Sequence, residues 1–353
     1  MFRGLAGAVV LALMTASAAL ADDDARSVRL IGSAPDAEDP APRRFVLDLT
    51  LTKGDGAFEQ KVDGWFAALP PAVGSGEATG SCAAGRCAIE VSLTDAKLSL
   101  SGEFAAGASA GRYALADDDG KVTAQGAASF QPLTGAVPGL GELAAPEAVT
   151  GGELKSLLEW TGLEVMSGNA VPDWPDDAER DSLAGWQNSQ GEAMTGLIFA
   201  GDLAKLRANA AAEKARSGWT RIEGVGWSAA YPAALLPNAS VSGAERRYAS
   251  ADGSAGLTIV IAGPLDDEAF SALTDQLTAD APGRTDKSYT RVNGDLTLNY
   301  VEAGRSVTIA CHNRAGGLAR LTFTHPAAEE AKWSLYDTVL VSAFDVGDDL
   351  KAP

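Results

Sequence analysis

Apolar and polar residues alternate from Phe45 through Leu47, Leu49 and Leu51, with Val46, Asp48 and Thr50 between them, the period of a strand with one buried face. Residues 87–93 repeat this pattern through Cys87, Ile89, Val91 and Leu93, and residues 98–104 through Leu98, Leu100 and Phe104. Residues 94–97 between them read as a hairpin turn. Residues 111–115 and 121–130 are two further strand candidates, parted by the turn Asp117-Asp118-Asp119-Gly120. Five strands and few helices predict a small antiparallel β barrel or sandwich over residues 45–131. The Gly, Pro and Ala of residues 132–149 then read as a linker.

Beyond it the period becomes helical. Thr150-Gly-Gly-Glu153 has capping-box spacing, Leu154, Leu157 and Leu158 share a face, and Gly162 stands where the helix should stop. Leu183 and Trp186 suit the inner face of a second helix that Gly191 ends in a left-handed conformation, and Leu203 and Leu206 restart the spacing. The third helix continues through residues 208–216 as a semi-rigid connector and stops at Ser217-Gly218. Strands follow at 227–232, 246–250 and 257–261, with an Asp252-Gly253 turn. A helix over 266–279 carries Phe270, Leu273 and Leu277, and four more strands fall at 288–292, 296–302, 306–313 and 318–324. A closing helix over 326–343 turns Trp333, Tyr336, Val339, Leu340 and Ala343 inward. The expected fold is multidomain α+β: the N-terminal barrel or sandwich, a central three-helix module over 150–216, and a C-terminal α/β sandwich with an antiparallel sheet over 217–348.

A chain of 353 residues exceeds what one core usually serves, which agrees with several domains. Its formal charge of −19 disfavours nucleic acid and anionic lipid as partners. Arg3, the apolar run from Ala6 to Leu13 and the small-x-small site Ala19-Leu20-Ala21 read as an export signal over residues 1–21. The mature chain then begins at Asp22, with a mobile leader over 22–44. No later window is apolar enough to span a bilayer, so no stable membrane insertion is expected after signal cleavage, and the location implied is the periplasm or the exterior. An oxidising compartment allows a structural disulfide between Cys82 and Cys87 across their turn-like spacer. Cys311, flanked by Val307, Ile309 and Leu318, reads as a buried small apolar residue rather than a reactive thiol.

The stretch from Leu183 to Leu206, with Trp186-Gln187, then Gly191, then Thr195-Gly196, resembles the peptidoglycan-binding domain of cell-wall proteins. With the leucine-rich helix before it, the resemblance covers residues 152–209. It implies binding of peptidoglycan or a related wall component, with Gln187, Asn188, Gln190 and Thr195 as candidate contacts. Gln187 also reads as a buried amide tying helix to turn. The chain departs from the family in the longer loop 167–177, which carries Trp174, and at Phe199, where the family has a capping Asp. These departures leave open an envelope scaffold that contacts another protein through a degenerate module. The order of elements after residue 217, with Tyr231-Pro232, Arg247-Tyr248-Ala-Ser250-Ala-Asp252-Gly253 and Ser342-Ala-Phe344, resembles PsbP-like α/β proteins.

No sequence pattern announces a reaction. Cys311 and His312 are strand neighbours whose side chains face opposite ways, and His325 before Pro326 reads as exposed or capping. Two histidines far from a paired acidic motif supply no evident metal site, and Asp117-Asp118-Asp119-Gly120 lacks the alternation of a calcium loop. No catalytic residue, metal or cofactor is therefore expected. An undetected wall hydrolase stays open as an alternative, because the carboxylate pair it needs is set by tertiary geometry.

Overall fold

The leucines that alternate from Phe45 face the inside of a closed barrel. The computed structural model describes residues 26–35, 42–56, 59–72, 74–103, 109–163, 165 and 175–351, and the chain divides into two compact units, Met1–Leu133 and Thr134–Pro353. The expected export signal, Trp174 and most of the loop 167–177 lie outside the described residues.

In the first unit β1 (Arg26–Ala34), β2 (Arg43–Lys53), β3 (Glu59–Ala68), β4 (Ser75–Ala83), β5 (Arg86–Leu93), β6 (Ala96–Glu103), β7 (Ser109–Asp117) and β8 (Val122–Pro132) run up and down in sequence order. β8 pairs back onto β1 with Gly32 opposite Phe130, so the sheet has no free edge. This resolves the choice between barrel and sandwich, and it corrects two expectations. Eight strands are present where five were read, and the supposed leader contains β1. The interior row of β4 is Gly76, Ala78, Gly80 and Cys82, which gives no apolar signal in sequence. Its glycines are required by close approach: a Cβ on Gly76 would stand 1.8 Å from Ser92 O, and one on Gly80 2.1 Å from Ala88 O. Cys82 and Cys87 face each other across β4 and β5 and are joined by the expected disulfide.

In the second unit, the expected linker is partly ordered as the hairpin β9 (Ala136–Val137) and β10 (Gly141–Glu142). Helices α1 (Gly151–Glu159), α2 (Asp177–Ser189) and α3 (Ala200–Ser217) follow, then β11 (Trp219–Gly224), β12 (Trp227–Pro232), β13 (Asn238–Ser242), β14 (Glu245–Ala249) and β15 (Gly256–Ala262). Next come α4 (Asp267–Thr278), β16 (Arg284–Val292), β17 (Asp295–Glu302), β18 (Arg305–Arg314), β19 (Gly317–Pro326), α5 (Glu330–Ser342) and β20 (Asp345–Val346). The larger sheet is antiparallel with order β13-β14-β15-β19-β18-β17-β16, and β11, β12 and β20 form a smaller one.

The larger sheet is covered on both faces. Ile309 and Cys311 pack with Phe270 of α4, whereas Ala310, Leu321 and Phe323 pack with Trp333, Tyr336 and Leu340 of α5. That second cluster also takes Leu154, Leu158, Leu183, Trp186, Leu203 and Leu206 of α1 to α3. The helices therefore do not form a module with a core of its own, and α3 is no free connector, because its apolar face is buried in the cluster that the sheet shares. Trp160 meets Trp219 edge to face at 4.9 Å, and Tyr336 of α5 donates a hydrogen bond to Glu213 of α3 at 2.8 Å. Among the described residues no helix is long and apolar enough to cross a membrane.

Replacing Gly80 by Ala should destabilise the barrel by about 2 kcal/mol, since the added methyl meets backbone that cannot yield locally. Gly185→Ala, in an exposed helical position with open space around it, should instead stabilise by about 0.5 kcal/mol. Thermal or denaturant unfolding of the two variants checks both, and a neutral Gly80→Ala would show that the strands can separate at that point.

Candidate functional site

The turn between α2 and α3 is built around one side chain. Asp176 caps α2 by accepting from Ala178 N and Glu179 N, and Glu179 returns a carboxylate to Asp176 N at 2.7 Å, a capping box that sequence reading missed. The one it named, at Thr150, is half formed: Thr150 accepts from Glu153 N, but Glu153 turns to Arg207 instead. Gly191 ends α2 with φ of 74°, as expected.

Gln187 then points into the chain that follows. Its Nε2 donates to Leu197 O at 3.0 Å and to Asp202 Oδ2 at 2.9 Å. Its Oε1 accepts from Thr195 N and Gly196 N at 3.0 Å each and from the Thr195 hydroxyl at 3.3 Å. Both donors and the acceptor are spent, and Gln187 and Thr195 are each 1% exposed. Of the four candidate contacts, Asn188 and Gln190 are exposed at the end of α2, while Gln187 and Thr195 are internal.

Beside this turn an open groove of about 660 Å³ is lined by residues 139–142, Gln187, Glu192, Ala193, residues 199–202 and Lys205. Lys205 pairs with Glu192 and lies 3.9 Å from Asp202. Burial pushes the Asp202 carboxyl up, against the Gln187 amide that favours its anion. The groove thus offers carboxylates, one ammonium and backbone groups at the start of α3, a surface suited to polar zwitterionic ligands. Sequence reading had no route to Glu142 or Lys205, because the hairpin that brings residues 139–142 to α3 carries no motif.

A second polar cluster lies on the α5 face of the larger sheet, where Thr308, Glu330 and Asp337 line a groove of about 980 Å³. His325 is fully buried, not exposed as its place before Pro326 implied. Its Nδ1 faces Pro326 O at 3.0 Å and its Nε2 faces Asp337 Oδ2 at 2.9 Å, while the Thr308 hydroxyl donates to Asp337 Oδ1 at 2.6 Å. Glu330 approaches the same Nε2 at 3.9 Å. One ligand atom each from His325, Glu330 and Asp337 lie within 4.8 Å of one another. With Nδ1–H held by a carbonyl, the Nε2 lone pair and two carboxylates could hold a divalent cation, contrary to the expectation that the histidines lack acidic neighbours. Glu330 and Asp337 are seven residues apart on one helix face, and His325 joins them only through the β19–α5 turn. The other histidine, His312, meets Asp295 at 2.9 Å, and Arg314 meets the same carboxylate at 2.6 Å. Cys311 on the opposite face is buried, and desolvation pushes its thiol up to about 12, which disfavours the thiolate.

Two outcomes follow from these contacts. Gln187→Ala would strand two buried amide hydrogens and should cost about 3 kcal/mol, whereas Gln190→Ala should stay within about 0.5 kcal/mol. A cost below about 1 kcal/mol for Gln187→Ala in denaturant titration would remove its role as the hub. The second concerns pH. Burial alone would lower the His325 pKa, but Asp337 and the Pro326 carbonyl overcome it and hold the imidazolium above 6.5. A raised histidine contributes stability that is complete below about 6.5 and lost as pH rises through the folded-state value. Glu179, which burial and the Asp176 contact push up to about 7 from 4.5, adds a slope of the same sign between those values. The difference between the wild type and Asp337→Asn therefore isolates His325: urea unfolding across pH 5 to 9 should show the wild type losing more stability on alkalinisation, and parallel curves would rule the ion pair out.

No protein-family model matches the chain, and no curated protein matches it. The peptidoglycan-binding resemblance of residues 152–209 therefore rests on the residues quoted for it. Among solved structures, part of the chain is similar to the solution structure of cyanobacterial PsbP (CyanoP) from Synechocystis sp. PCC 6803. That similarity covers 36% of this chain and 92% of that one, at 13% identity and a TM-score of 0.28.

Proposed function

We propose that this is an exported, non-catalytic protein of the periplasm or cell exterior that binds peptidoglycan through the segment from β9 to α3. The observation that carries the reading is the Gln187 carboxamide, which holds Thr195 and Gly196 in place beside an open polar groove. Gln187 itself supports the floor, and recognition falls to the groove's outer groups. Glu142, Glu192 and Asp202 suit the amine of a stem-peptide diamino acid, and Lys205 suits a carboxylate. Few charges and many backbone groups give modest affinity of the kind repeated along a polymer.

Sedimentation with purified sacculi tests it. The mature protein should pellet with the wall, and Glu142→Lys combined with Lys205→Glu should weaken this by about ten-fold, the loss of one charge-assisted hydrogen bond. No association of the wild type at low salt would sink the proposal.

A second reading is favoured by a specific observation: the inner faces of α1 to α3 are buried in the cluster that the larger sheet shares, and Thr195 is internal. In that reading the segment is an envelope scaffold whose outer surface holds another protein. A wild-type protein that ignores sacculi but cross-links in the envelope to one partner, through residues of α2 or α3, would establish it.

A further inference from the structure

His325 is buried among aromatic rings, yet both of its nitrogens face oxygen. The Phe323 ring lies 5.4 Å from the imidazole, and the Trp333 ring runs near-parallel to it at 6.3 Å, which limits how the imidazole can turn. Nδ1 meets Pro326 O at 3.0 Å and Nε2 meets Asp337 Oδ2 at 2.9 Å. A neutral imidazole carries one N–H, and neither a carbonyl nor a carboxylate can donate. One of the two contacts would then set a lone pair against an oxygen, so the arrangement calls for a positive charge at Nε2. A proton there serves Asp337 but not Glu330, whose carboxylate stops 3.9 Å from the same nitrogen. It also leaves the three side chains with a net negative charge. With Nδ1–H held on the carbonyl, a neutral imidazole and two carboxylates balance a divalent cation instead.

The surroundings support ligation. Pro326 O fixes the tautomer that frees Nε2, and the Thr308 hydroxyl, donating to Asp337 Oδ1 at 2.6 Å, orients that carboxylate and leaves Oδ2 for an ion. Glu330, Asp337 and Thr308 line the groove of about 980 Å³ on the α5 face, which gives an ion its route in and water a coordination position. A tetrahedral ion bound at about 2.0 Å needs its ligand atoms about 3.3 Å apart. The separations of 2.9 Å to Asp337 and 3.9 Å to Glu330 bracket that value, and Glu330, 55% exposed, has the freedom to close the longer one. Calcium and magnesium take oxygen ligands, so the imidazole selects a transition metal, and zinc, which imposes no geometry of its own, suits one nitrogen and two carboxylates.

From this geometry we propose that His325, Glu330 and Asp337 bind one Zn²⁺, with water from the groove completing its shell, and that the ion ties the end of β19 to α5. Trp333, Tyr336 and Leu340 of that helix close the core shared with α1 to α3, so the ion stabilises the second unit. The site shares no residue with the groove assigned to peptidoglycan, and neither reading depends on the other.

Calorimetric titration of the full mature chain, stripped with a chelator, with zinc chloride tests it. One tight site per chain is expected, with a raised unfolding midpoint and no competition from calcium or magnesium. Glu330→Gln and Asp337→Asn should each weaken the site by more than about ten-fold, and Thr308→Val by about ten-fold through its loss of hold on Asp337. In the wild type the ¹⁵N resonance of His325 Nε2 should shift on addition of zinc while the His312 resonances stay in place, a readout that stands even if a variant is unstable. The proposal is overturned by the absence of saturable zinc binding to the wild type, or by Glu330→Gln and Asp337→Asn proteins that bind zinc as the wild type does. A zinc-induced shift at His312 in place of His325 overturns it equally.

Discussion

One carboxamide determines what the helical segment can be. The chain from residue 193 to 198 is irregular and largely buried, a combination that strands backbone amides unless a side chain takes them. Gln187 takes two of them and returns its own hydrogens to Leu197 O and Asp202. Glutamate in its place would repel Asp202, and an apolar residue would satisfy nothing, so the amide is required on both sides. This also divides labour within the site. A group whose hydrogen bonds are all internal shapes a groove but cannot read what lies in it, so in the proposed site recognition would fall to the exposed Glu192 and Lys205 at its edge.

The same accounting explains why the helices have no core of their own. Nine residues of α1 and thirteen of α2 bury too little apolar surface between them to be stable alone. The deficit is met where Trp160, Trp219 and Tyr336 form an aromatic chain from α1 through β11 to α5. Polar contacts follow the same route: Ser342 of α5 donates to Glu159 of α1 at 2.7 Å, and Arg216 reaches the Tyr336 hydroxyl at 3.2 Å. The apolar stripe of each helix was legible in sequence; which surface it would meet was not, because periodicity gives a face and no address.

Legibility along the rest of the chain follows the amplitude of the pattern. In the second unit, β12, β15, β17, β18 and β19 carry large apolar side chains on alternate positions and were readable almost to their ends, as was α5 with Trp333, Tyr336, Val339 and Leu340. β13, exposed throughout, and the two-residue β20 carry no such signal. In the barrel three strands were missed: β1 and β4, whose inner rows are small at Gly32 and Ala34 and at Gly76 to Gly80, and β3, where Val62 and Phe66 are interrupted by Gly64. The candidate sites were the least legible part. Gln187 was marked because it sits in a motif, whereas Glu142 and Lys205, or His325 and Asp337, are joined only by tertiary contacts between ordinary surface residue types.

Those small inner residues are also the reason the barrel can be both closed and hollow. Closing eight strands demands close backbone contact, which Gly64 supplies against Asp48 O and Gly80 against Ala88 O, at distances no Cβ would tolerate. At the disulfide end, leucine, valine and isoleucine from neighbouring strands compensate for the missing volume. Phe45 does so in the middle, where its ring lies over Gly32 and meets Phe66 at 5.4 Å and Phe130 at 5.9 Å. Beyond that aromatic layer the described rim positions do not compensate: Ala34, Ala68 and Ala124 follow on the inward parity, and a leucine at any of them would fill the space with ordinary packing. A void lined by leucine and phenylalanine forgoes dispersion contacts that such a substitution would supply, so its retention costs stability that packing alone does not explain. The aromatic layer sets the depth of the cavity, and the alanines keep its mouth open.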